Sequence, residues 1–99
     1  MSESRARYAQ AGVAITSGAG LVITPMNGAD GGEYVLDIVC AQNVTLQALA
    51  ADGVTQRTVT TVNAPGGVGA APIKVGQGSI LKLVPAADAP VSYSLSQVL

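Results

Sequence analysis

From Val91 to Val98 the chain alternates. Val91, Tyr93 and Leu95 are separated by Ser92, Ser94 and Ser96. A period of two places successive side chains on opposite faces of an extended strand, so this segment predicts a strand with one face buried and one wet. Glu33–Ala41 repeats the pattern, with Tyr34, Leu36, Ile38 and Cys40 on one face and Val35, Asp37 and Val39 on the other. No window of about 11 or more residues carries the three- and four-residue spacing of a helical stripe.

Shorter runs of the same character are Val13–Ser17, Leu21–Thr24, Val44–Ala51, Val54–Val62, Ile73–Val75 and Ser79–Val84. Val, Ile and Thr supply 25 of the 99 residues, and these side chains suit a pleated, half-buried surface. Glycine (12) and proline (5) fall between the runs. Asn27–Gly32 (NGADGG) reads as a turn, because Asn, Asp and Gly tolerate positive φ. Asp52-Gly53 predicts a two-residue hairpin loop. That loop sets a register of Ala51 opposite Val54, Leu49 opposite Gln56, Gln47 opposite Thr58 and Thr45 opposite Thr60, with Leu46 facing Val59 inside. Gly76-Gln77-Gly78 reads as the turn between another strand pair. Asn63–Pro72 and Pro85–Pro90 read as loops. Together these runs predict an all-β domain over residues 13–99, a small antiparallel sandwich or jelly-roll-like barrel of about seven to eight short strands. Residues 1–12 (MSESRARYAQAG) show no strand pattern and read as an N-terminal arm.

Composition narrows the chemistry. Five Lys/Arg against six Asp/Glu give a formal charge of -1, without the basic cluster that a phosphate backbone requires, so no nucleic-acid partner is expected. The chain has no His and one Cys. That removes the commonest proton shuttle, excludes multi-ligand zinc sites and rules out an internal disulfide, so neither catalysis nor a cofactor nor a metal is expected. No apolar run is long enough for a membrane helix, and residues 1–12 lack the apolar stretch of a secretory signal, so use without export is expected. Charged residues are 11% of the chain and 16 residues are Ala. A weakly charged surface over a thin core is read as that of a protein living in an assembly.

Most candidate sites have plain structural readings. Asp30, Glu33 and Asp37 form the acidic cluster, but Glu33 and Asp37 lie about 13 Å apart on a strand, too wide for a paired-carboxylate centre. Cys40 reads as a buried small hydrophobe. Asn43-Val44-Thr45 matches a glycosylation pattern and is read as chance. Thr58, Thr60 and Thr61 read as a solvated strand face. Gly66, Gly67 and Gly69 lack the Lys-Ser/Thr and the helix of a phosphate loop. Two groups read as interface. Arg5, Arg7 and Tyr8 combine contact area with hydrogen bonding on the arm, and Val35, Asp37 and Val39 form a mixed face opposite the core stripe.

The arm MSESRARYAQAG, followed by a His- and Cys-poor β-body from Val13 to Leu99 rich in Ala, Gly, Thr and Val, resembles the small phage head-decoration (cement) proteins. The resemblance implies a non-catalytic structural protein of the virion. It would sit on the outer capsid surface, contact the major capsid protein or another virion protein and form a dimer or trimer. The alternative is a ligand-binding β-sandwich such as a carbohydrate-binding module. Such modules commonly stack sugars on exposed aromatics, whereas Tyr34 and Tyr93 are expected to point inward. A hydrolase is the least supported reading, because there is no His.

Overall fold

The computed structural model describes residues 7–50, 52–62 and 67–98. They form an all-β sandwich, as expected. Its strands are β1 (Arg7–Ile15), β2 (Leu21–Val22), β3 (Gly32–Cys40), β4 (Val44–Leu49), β5 (Gln56–Val62), β6 (Gly67–Val75), β7 (Leu81–Pro85) and β8 (Ala89–Val98). One antiparallel sheet has the order β1-β8-β3-β6 and the other β2-β7-β4-β5. The overall dimensions are 39 × 34 × 19 Å, the thin axis fitting two stacked layers about 10 Å apart.

The two alternating segments become neighbours. β3 and β8 pair through the middle of the first sheet, with Leu36 opposite Leu95 and Ile38 opposite Tyr93. Their apolar faces meet Val44, Leu46, Ala48, Leu81 and Leu83 of the second sheet in one core. Among the described residues the buried set holds no charged or polar residue apart from tyrosine. Each fully buried Leu or Val contributes roughly 1.5–3 kcal/mol, so the inner faces of β3, β8, β4 and β7 supply most of the stabilisation.

Several expectations are corrected. The arm is shorter than its sequence suggests: residues 7–12 belong to β1, which pairs along β8 from Arg7 opposite Ser96 to Ile15 opposite Ala89. Residues 1–6, including Arg5, lie outside the described residues. β1 carries no alternation because it is an edge strand held by backbone pairing. It also slips register between Gln10 and Val13, where Gly12 takes φ +64°, the left-handed geometry of a glycine bulge. The expected 63–72 loop is strand from Gly67 onward, pairing with β3 from Cys40 to Gly32. Nor is Gly76-Gln77-Gly78 a hairpin turn. β6 and β7 lie in different sheets, and this turn carries the chain from one layer to the other.

The hairpin register holds where Leu49 meets Gln56 and Gln47 meets Thr58, then shifts by one residue. Thr45 therefore faces Thr61, and Leu46 faces Thr60 rather than Val59. The expected Ala51–Val54 pair falls outside the described residues.

Candidate functional site

Because Tyr34, Leu36 and Ile38 point inward, Glu33, Val35, Asp37 and Val39 must point outward. The same parity turns Ser92, Ser94 and Ser96 outward beside them. Register then sets rows across the outer face of the first sheet. Ala9, Ser94, Asp37 and Ala70 make one row, Arg7, Ser96, Val35 and Pro72 the next, and Val98, Glu33 and Lys74 a third.

Two open depressions mark this face. One, of 390 Å³, is lined by Arg7, Ala9, Asp37, Val39, Ser92 and Ser94 together with Gln10, Ala11 and Tyr93. The other, of 460 Å³, is lined by Glu33, Val35, Pro72, Lys74 and Val98, with Tyr34 and Ile73 beneath. Each has one cationic and one carboxylate side chain, and the carboxylates sit four residues apart on β3. No side-chain hydrogen bond or ion pair joins Arg7, Glu33, Asp37 or Lys74 to another described residue. Val39 and Val98, 51% and 48% exposed, supply apolar patches next to these charges.

The serines are partly committed. Ser92 Oγ accepts the Gly12 amide at 2.9 Å, and Ser94 and Ser96 share a hydrogen bond of 2.9 Å between hydroxyls. The bulge at Gly12 thus anchors one rim of the first depression.

Of the residues expected at an interface, Arg7, Val35, Asp37 and Val39 share this face. Tyr8 does not. Its ring packs on Tyr34 with centroids 6.3 Å apart and 24° between planes, and its hydroxyl accepts the Asp30 amide at 3.2 Å. Tyr34 donates to the Asp30 carbonyl at 2.6 Å. Burial, helped by the neighbouring Tyr8 and Asp30, pushes the Tyr34 phenol up to about 12. Tyr93 is also buried and donates to Gln10 Oε1 at 3.0 Å. Among the described residues, then, no aromatic ring lies open on this face.

Of the other candidates, Thr58 and Thr61 are exposed, but Thr60 pairs with the buried Leu46 and shares its inward side rather than the expected solvated face. Asp30 is tied into its loop by Tyr34, which donates to its carbonyl, and by Gln77 Nε2, which donates to its carboxylate at 3.5 Å. No group of three potential metal ligands occurs among the described residues. Cys40 is buried, and its Sγ accepts the Gln42 amide at 3.4 Å. Thr45 and Thr61 share a hydroxyl contact of 3.3 Å on the second sheet. Ser92, Ser94, Pro72, Lys74 and Val98 are the site residues that sequence reasoning missed. Alternation already turned the serines outward, but nothing local places β6 beside β3.

No protein-family model matches the chain, and no curated protein matches it. Solved structures share its fold. A point mutant of a carbohydrate binding module of family 29 aligns at TM-score 0.51 and 11% identity, covering 94% of this chain and 79% of that one. A second family 29 mutant, made to probe ligand recognition, aligns at TM-score 0.50 and 11% identity, covering 95% and 81%. These similar chains overturn the expected function of a phage capsid decoration protein, and with it the virion and cement-protein class: the β-sandwich stands, but the folds it aligns with are those of carbohydrate-binding modules.

Proposed function

We propose that this chain is a non-catalytic binding module that takes a carbohydrate on the outer face of the β1-β8-β3-β6 sheet. The observation that carries this reading is the depression where the Arg7 and Asp37 side chains, without an ion pair to any described residue, flank the hydroxyls of Ser92 and Ser94. Guanidinium, carboxylate and hydroxyl groups on a rigid sheet match vicinal sugar hydroxyls, which both donate and accept. Fold kinship with the two family 29 modules supports the same reading. Recognition here works by hydrogen bonds, with Val39 as an apolar contact in place of a stacking ring. The chain has no His and its single Cys is buried, which leaves neither a His base nor an accessible thiol nucleophile.

The test is a glycan array followed by calorimetric titration of the full chain and of Asp37→Ala. Saturable binding to at least one polysaccharide, lost in Asp37→Ala, is the expected result. A blank array, or binding indifferent to Asp37, overturns the proposal.

A further inference from the structure

Resting on that reading, we infer that the ligand is a uronate-containing polysaccharide spanning both depressions, with Arg7 and Lys74 each receiving a sugar carboxylate. The two depressions repeat one chemical layout. Arg7 and Asp37 serve the first, and Lys74 and Glu33 the second. Glu33 and Asp37 are separated by about 13 Å along β3, longer than a single sugar ring, and Arg7 and Lys74 stand on the two outer strands β1 and β6, so one chain crossing the face obliquely meets both depressions.

Lys74 and Glu33 are direct register partners on neighbouring strands, yet neither they nor Arg7 and Asp37 form an ion pair with another described residue. Cations that stand beside carboxylates without bonding them fit a ligand that brings both an acid and hydroxyls. The ligand's carboxylate takes the cation in a charge-assisted bond. Its hydroxyls donate to Asp37 or Glu33. The same two carboxylates repel a densely sulfated chain, so the face favours a polymer with one carboxylate per ring over one with several charges. Both depressions are open to solvent rather than enclosed, as an extended polymer requires.

The experiment titrates the full chain with polygalacturonate, with its carboxyl-reduced neutral derivative and with heparin, at low and high salt. Polygalacturonate should bind at least tenfold more tightly than the reduced polymer and than heparin, and should weaken with salt because these charges are exposed. Arg7→Gln and Lys74→Gln should each lower its affinity several-fold, and the double variant more than either. Both side-chain changes lie on the surface, and circular dichroism checks that the sheet is retained. Equal binding of the reduced polymer, or of heparin, overturns this inference and leaves the carbohydrate reading intact. Unchanged affinity in Arg7→Gln and Lys74→Gln does the same. Failure of every polymer, with a blank glycan array, removes both.

Discussion

The backbone amide of Gly12 donates to the hydroxyl of Ser92 at 2.9 Å, tying the bulge of β1 to the strand beside it. The bulge leaves this amide without a ladder partner, and Ser92 supplies one. Ser92→Ala should therefore lower stability by about 0.5–1.5 kcal/mol. Gly12→Ala should lower it by about 1–2 kcal/mol, the strain of a Cβ in the left-handed region. Space is not the obstacle, since a Cβ there meets nothing within 4 Å. Urea unfolding of both variants checks these values.

Gly28 and Gly53 separate strain from collision. Both have positive φ, +92° and +75°. A Cβ on Gly53 meets nothing within 4 Å, whereas one on Gly28 falls 2.2 Å from the Gly78 carbonyl oxygen. Gly53→Ala should cost about 1–2 kcal/mol. Gly28→Ala should cost clearly more, because two backbones must part. Thermal melts of the pair measure the difference.

Leu36 and Leu95 are register partners, each 0% exposed. Leu36→Ala should destabilise by about 2–5 kcal/mol through lost burial and the cavity left behind. Val39→Ser, two strand positions beyond Ile38's neighbour Asp37 on the outer face, should stay within about 0.5 kcal/mol. Equal losses in the two variants would contradict the assignment of faces.

Stability should respond to pH at both extremes. The Tyr34 phenol is raised to about 12 in the folded protein, chiefly by burial. The unfolded chain releases that proton near pH 10, so the contribution is complete below pH 10 and is lost as pH climbs towards 12. Tyr34→Phe should flatten this alkaline decline. Asp52 is held down at about 2 by the Thr55 hydroxyl and then by the Thr55 and Val54 amides. Its contribution is present above the ordinary value of 3.8 and is lost as pH falls through about 2. Asp52→Asn should flatten the acid limb, read by denaturation across pH.

The inner faces of β3 and β8 were legible because alternation at Tyr34, Leu36, Ile38, Val91, Tyr93 and Leu95 is a local signal. β1 and β6 were not. Ala, Gln and Gly in β1, and Gly, Ala and Pro in β6, have little strand preference of their own, and backbone pairing to β8 and β3 makes them strands. The one-residue shift between Leu46 and Gln47 is similarly silent in the sequence. The candidate site divides along the same line. Parity alone grouped Val35, Asp37 and Val39, but joining them to Arg7, Pro72 and Lys74 depends on a strand order that brings together residues dozens of positions apart. Tyr8 was misplaced because an edge strand's inward side can remain half exposed, and its pairing with Tyr34 leaves no local trace.

That ring pair has an optical consequence. With three Tyr and no Trp, near-ultraviolet signals of this molecule come from tyrosine. The Tyr8–Tyr34 stack joins the outermost strand to the interior. Peeling β1 away separates two chromophores and alters their near-ultraviolet dichroism, so the unlabelled protein reports whether the strand bearing Arg7 is seated.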